Sequence, residues 1–320
     1  MRAGSAATYA RFGLVVELAA VSDAETSAAA RDALTARQLF LAGGLSGAVE
    51  CLTVQPLDMA KTRLQLVVMP AERSNVLVAL SGLVNEGGVF RLYRGVLPEL
   101  IAMTPKSSAM YATYEAMLRA IRPSLGDDPR AHAIAGFIAG TPEALAVTPF
   151  QVVKVRLQAK EHLKLYSGTF DCVRRILATE GASALATGLH VTTWRNGIWN
   201  AVYFSLMSLR RPNCDRGTLA QSIQTLSTGF LAGVVATLFN NPFDVVKSRL
   251  QAELPRSGSS GFLGESGFGR LREIWRTEGV SGLYVGFTAK SLRMGLGGAV
   301  GMAAYEAVAV WLSRISSARV

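Results

Sequence analysis

Charge is scarce in this chain of 320 residues: only 18% are Asp, Glu, Lys or Arg, half are hydrophobic, and mean hydropathy is positive at +0.27. Residues 217–243 carry no charged side chain at all, and that run exceeds the roughly 20 residues needed to cross about 30 Å of hydrocarbon. Two soluble domains therefore fit poorly, and a multi-span membrane protein fits well. Histidine and cysteine are nearly missing. His132, His162 and His190 have no metal-ligand spacing, and Cys51, Cys172 and Cys214 give neither a disulfide framework nor a metal motif. With no ligand cluster and no activated nucleophile, the chain is read as a non-enzyme that needs no cofactor and no metal.

The net charge of +10 comes from basic residues spread along the chain rather than clustered among aromatics. Nucleic acid is therefore not an expected partner. Solvated loops and attraction to anionic lipid account for the excess. Acids are missing from the first sixteen residues, as in a transit peptide, but Glu17, Asp23 and Glu25 follow at once. Residues 1–35 and 254–267 read as flexible segments.

What is present is a repeat. PLDMAKTRLQ (residues 56–65) returns as PFQVVKVRLQ (149–158) and PFDVVKSRLQ (242–251), at a constant period of about 93 residues. Upstream of each proline stand glycine pairs at i, i+4: Gly43/Gly47, Gly136/Gly140 and Gly229/Gly233. Such pairs put small residues on one helix face, where backbones approach closely in lipid. Downstream come Glu86-Gly87, Glu180-Gly181 and Glu278-Gly279, followed by Gly95, Gly188 and Gly286. These read as the end of a short surface helix and the start of the next long one.

The expected fold is thus an all-α membrane protein with six transmembrane helices, near residues 37–66, 96–120, 131–159, 189–210, 221–252 and 287–313. An extension (1–35) precedes repeat 1 (36–128), repeat 2 (129–219) and repeat 3 (220–320). An even number of spans puts both termini on one side.

The tripled P-x-[Asp/Glu]-x-x-[Lys/Arg]-x-[Lys/Arg]-x-Gln pattern resembles the mitochondrial carrier family of inner-membrane solute exchangers, over about residues 36–313. Within that family, TPKSSAMYATYE (104–115), WRNGIWNAVYF (194–204), NPFDVVKSRLQ (241–251) and LRMGLGGAV (292–300) are similar to the 2-oxodicarboxylate carriers. The resemblance implies a pseudo-three-fold arrangement with short matrix-side amphipathic helices. It implies an antiporter of 2-oxoadipate, 2-oxoglutarate and related dicarboxylates that works by alternating access, with a tricarboxylate (citrate) carrier as the alternative. It also implies a monomer in the mitochondrial inner membrane, with cardiolipin as lipid partner and both termini toward the intermembrane space.

The resemblance assigns roles to the motif. Pro56, Pro149 and Pro242 kink their helices, since proline removes a backbone donor. The acids at Pro+2 and bases at Pro+5 form a matrix gate in which Asp58 pairs with Lys154 and Asp244 with Lys61. The third pair is broken, because Gln151 stands where an acid should face Lys247. A looser gate, or a lost pair without consequence for transport, are both open. Gln65, Gln158 and Gln251 match the glutamines that brace these pairs. The opposite gate is poorly written: Tyr114-Glu115 has its base one place late at Arg119, Ser205 follows Phe204, and Tyr305-Glu306 has no base. A resting state open to that side is expected.

A substrate without three-fold symmetry must be read by residues that break the symmetry. Seven places after Gly95, Gly188 and Gly286 stand Ala102, Arg195 and Arg293. Two guanidiniums suit two carboxylates, which arginine binds bidentately. Lys106 one turn on, which completes the anion site or meets the 2-oxo group, Asn196 and Met110 join the candidate substrate site. Each cation could instead be a structural partner of Glu50 or Glu143. Those acids repeat at Pro−6, where repeat 3 has Ala236; holding neighbouring helices, sharing cavity charge and carrying a proton are open roles. Trp194, Trp199 and Tyr203 read as packing or interface residues.

Overall fold

The computed structural model describes residues 36–66, 75–209, 219–253 and 267–317. The two segments read as flexible, 1–35 and all but the last residue of 254–267, lie outside them. The described residues form helices joined by turns, without a strand. In chain order the helices are α1 (Ala36–Leu66), α2 (Val76–Gly87), α3 (Val96–Leu125), α4 (Pro129–Gln158), α5 (Thr169–Thr179), α6 (Leu189–Ser208), α7 (Leu219–Ala252), α8 (Gly267–Leu283) and α9 (Phe287–Ser317). Short 3-10 turns, Val89–Tyr93 and Ala182–Ala186, lead into α3 and α6.

The six long helices coincide with the six expected segments. Among the described residues, three regions are apolar and long enough to cross a membrane on those grounds alone: Pro129–Gln158, Leu226–Ala252 and Phe287–Leu312. A fourth candidate, Val76–Gly87 with Val89–Leu125, is bent by 113°. Helix α1 carries Glu50, Asp58, Lys61 and Arg63, and α6 is only 20 residues long. Apolarity alone does not mark these two as spans.

Pro56, Pro149 and Pro242 all lie inside long helices. Each following segment packs its apolar side against its own surface helix. Val152, Val153 and Leu157 meet Tyr166, Cys172 and Ile176; Val245, Val246 and Leu250 meet Ile274 and Leu283; Ala60 and Leu64 meet Ala79. Burial pushes the Cys172 thiol up to about 11, which leaves it a packing residue rather than a nucleophile. The same clusters reach the preceding repeat's last helix, through Val191 on α6 and through Val285 and Ala289 beside α1. Repeat 3 thus packs onto repeat 1.

Each repeat ends its surface helix and opens the next long helix at glycines with positive φ: Gly88 and Gly95, Gly181 and Gly188, Gly279 and Gly286. L-residues pay for that conformation. Close approach also selects glycine between α4 and α6, where a Cβ on Gly140 would overlap the backbone of Gly197.

The chain divides into two compact units. One comprises Met1–Glu50, Arg211–Gly229 and Gly298–Val320, and the other Cys51–Arg210 and Phe230–Gly297. In the first, Leu312 packs with Tyr305 and Val308. The second holds every matrix-gate and substrate candidate.

Candidate functional site: an ion network with one neutral arm

The proline turns deliver their acids to one level of the second unit. Lys154 Nζ lies 3.1 Å from Asp58 Oδ2, and Lys61 Nζ lies 2.5 Å from Asp244 Oδ2. The partners named from the sequence therefore meet. The third position behaves differently. Gln151 is buried with its Oε1 unpartnered, and the buried Lys247 makes no hydrogen bond or ion pair with the described residues.

The symmetry-breaking arginines lie at the same level. Arg195 Nη1 is 3.2 Å from Asp244 Oδ1, and Arg293 Nε is 2.5 Å from Asp58 Oδ1. Neither is held by Glu143, which accepts instead from Asn200 at 2.8 Å and ties α4 to α6. Ala102 occupies the equivalent place on α3 and is fully buried. The repeat that lacks an arginine on its second long helix therefore faces the repeat that lacks an acid on its first. The loss is concerted: one arm of the site has neither charge.

Two further residues complete the network. Glu99 Oε2 lies 3.2 Å from Lys154 Nζ, and Lys290 Nζ lies 3.2 Å from Asp244 Oδ2 and 2.8 Å from Asn240 Oδ1. The sequence reading passed over both. Their signal was available, since four places after Gly95, Gly188 and Gly286 the repeats disagree as Glu99, Thr192 and Lys290. Asp58, Glu99 and Asp244 face Lys61, Lys154, Lys247, Lys290, Arg195 and Arg293. Positive charge is in surplus, as an anion site requires.

The other expected contacts divide. Asn196 is buried and its Oδ1 accepts from Arg195 Nη2. Lys106 makes no hydrogen bond or ion pair with the described residues. Met110 packs instead in the apolar cluster of Tyr114, Leu118 and Ala135 between α3 and α4. A flexible thioether filling a gap there is a packing role.

Of the three glutamines, Gln65 braces a pair: its Nε2 donates to Asp244 Oδ2 at 3.4 Å and its Oε1 accepts from Ser248 at 2.7 Å. Gln251 donates to Thr187 O at 3.3 Å, and both amide atoms of Gln158 lack partners. Asp58 is already held by two cations, and Gln251 has no carboxylate to meet at position 151. What all three do share is apolar: their Cγ atoms lie where a Cβ on Gly286, Gly95 or Gly188 would stand 3.2–3.5 Å away.

At the other end Tyr114 stacks on Phe204 with centroids 4.1 Å apart, and its hydroxyl lies 2.6 Å from His132 Nδ1. Glu115 and Arg119 form an exposed pair at 3.8 Å within one helix. The Glu306 side chain lies outside the description. Trp199 stacks on Tyr203, and Trp194 meets Phe137 and Phe268 edge-on.

A family model described as "Mitochondrial carrier protein" matches residues 32–124, 127–211 and 220–316. The chain belongs to the mitochondrial carrier family. Relatives include a probable mitochondrial 2-oxodicarboxylate carrier of Schizosaccharomyces pombe, 33% identical over 86% of this chain and 94% of that one. The mitochondrial 2-oxodicarboxylate carrier of Mus musculus is 35% identical over 87% and 95%. Mitochondrial citrate transporter D of Aspergillus niger is 33% identical over 84% and 92%. As a mitochondrial carrier the chain is a transporter of the mitochondrial inner membrane. The three matched segments coincide with its three repeats.

Proposed function

We propose that this carrier is an antiporter of 2-oxodicarboxylates, such as 2-oxoadipate and 2-oxoglutarate, working by alternating access through this network. The observation that carries the reading is the pair Arg195–Asp244 and Arg293–Asp58. A substrate with two carboxylates offers each arginine a bidentate partner, and so draws both off acids that also hold Lys61, Lys290 and Lys154. Binding then loosens two arms of the matrix-side gate together. The names of several relatives, 2-oxodicarboxylate carrier, fit this substrate class.

The same reading takes all six long helices as spans, with α1 and α6 turning their charges toward a protein-lined interior, where spanning helices tolerate them. It places the repeats at 36–128, 129–219 and 220–320, both termini toward the intermembrane space, and a monomer in contact with cardiolipin. Ala102, Lys106, Arg195, Asn196 and Arg293 line the substrate site, and Met110 is withdrawn from it. Asp58, Lys61, Gln151, Lys154, Asp244 and Lys247 form the matrix gate.

One relative is named a citrate transporter, so the test includes tricarboxylates. Purified protein is reconstituted in liposomes loaded with 2-oxoglutarate and offered labelled 2-oxoglutarate, 2-oxoadipate, malate, citrate and ATP. Uptake of the two oxo acids is expected to exceed that of the others. Uptake of citrate without the oxo acids would replace this reading by the tricarboxylate one.

A further inference from the structure

Lys247 is a buried lysine that makes no hydrogen bond or ion pair with the described residues, and a buried charge left unpaired is costly. In membrane proteins such a group is a functional candidate by default. Two departures from the repeat, Gln151 and Ala102, mark the arm to which it belongs. Gln151 replaces the acid that would neutralise it, the Gln151 Oε1 atom is buried and unpartnered, and Ala102 puts a methyl where α6 and α9 put arginines. The two other arms each end on a carboxylate already gripped by an arginine and a lysine. The third arm offers a lysine and an amide.

We infer that Lys247 and Gln151 form the subsite that reads the 2-oxo group of the substrate. This rests on the dicarboxylate reading above and deepens it. With its two carboxylates on Arg195 and Arg293, a 2-oxodicarboxylate has one strong acceptor left, the carbonyl oxygen beside one carboxylate. Ammonium and amide N–H groups donate to it. An aspartate or glutamate at position 151 would neutralise Lys247 and present an acceptor to the oxo oxygen. Dicarboxylates without the oxo group leave Lys247 unmet, as in the empty protein. Selectivity for 2-oxo acids over plain dicarboxylates of equal length therefore resides in this arm.

The test compares 2-oxoglutarate with glutarate in proteoliposomes of the full chain, reading KM for each. Wild type is expected to favour 2-oxoglutarate by about tenfold, the size of one hydrogen bond to a charged group. In Lys247→Gln and in Gln151→Glu that preference collapses, because KM for 2-oxoglutarate rises more than KM for glutarate. Lys247→Arg, which keeps the charge and the donors, restores part of it. Gln151→Glu also raises the thermal midpoint of the empty protein, because it completes an ion pair, so a folding defect is separable from lost recognition. Equal preference in wild type and both variants, or a wild type that never distinguished the two acids, would overturn the inference while leaving a dicarboxylate antiporter intact. Failure of every dicarboxylate to enter, with citrate transported, would instead remove the proposed function and this inference with it.

Discussion

At the scale of single residues, the network's two aspartates carry unequal loads. Asp244 is almost fully buried and lies beside Lys61, Lys290 and Arg195, whereas Asp58 lies beside Lys154 and Arg293. Removing one partner of a buried ion pair costs about 3–5 kcal/mol, because a charge is left behind without solvent. Asp58→Asn leaves two cations, one of which still has Glu99. Asp244→Asn leaves three cations and adds their mutual repulsion. Asp244→Asn is therefore expected to lower the thermal midpoint in detergent more than Asp58→Asn does, and an equal or reversed order would contradict the distribution of load. Both acids were legible in the sequence because they sit at a fixed offset from a repeated proline. Glu99 and Lys290 carried only the weaker signal of a position where the three repeats disagree, because a charged residue in the first turns of a helix does not by itself distinguish an internal partner from a solvated one. Gln158 and Gln251 were misread for a related reason. A motif position fixes where a side chain starts, while its hydrogen bonds depend on whether an acceptor stands opposite, and position 151 supplies none.

At the scale of helices, the same proline segments anchor the surface helices by a second, fully three-fold set of contacts. Arg63, Arg156 and Arg249, each seven places after its proline, meet Glu86, Glu180 and Glu278 at the ends of the surface helices. The acidic-glycine pairs were readable as helix ends, but their role as anchor points needed the fold, since the arginine comes from 23 to 29 residues away. Exposure separates the three anchors. Arg156 and Arg249 are almost fully buried and bind bidentately at 2.5–2.9 Å, while Arg63 makes one 2.7 Å bond and is 24% exposed. Solvent-screened pairs contribute about 0.2–1 kcal/mol, and breaking buried ones costs about 3–5 kcal/mol. Arg156→Ala and Arg249→Ala should then lower the thermal midpoint by several degrees more than Arg63→Ala, measured in one detergent and lipid mixture. Equal effects would mean that burial does not set the strength of these anchors.

At the scale of the whole molecule, the question is what prevents the empty carrier from changing its facing. The ion network is made without substrate: two lysine–aspartate pairs, each reinforced by an arginine and further joined by Glu99 and Lys290. For the opposite gate, Glu115 and Arg119 form an exposed pair within a single helix, and Tyr114 bonds His132. Within the proposed antiport, a resting state closed toward the matrix and open to the intermembrane space is the expected one. Opening the matrix side in the absence of an anion strands Arg195 and Arg293, whereas a bound dicarboxylate gives each a new partner at the moment the old one is lost. Charge-assisted hydrogen bonds contribute about 1.5–3 kcal/mol each, so two of them separate empty from loaded reorientation by roughly a hundredfold or more in rate. Uptake of labelled 2-oxoglutarate into liposomes without internal substrate should accordingly fall to about a hundredth of the exchange rate or below. Arg195→Ala and Arg293→Ala should each abolish most of the exchange without creating uptake into empty vesicles, because the lysine pairs still close the network. Uptake into empty vesicles at a rate near that of exchange would show that the network does not hold the empty carrier, and the reading of Arg195 and Arg293 as links between substrate and gate would fall with it.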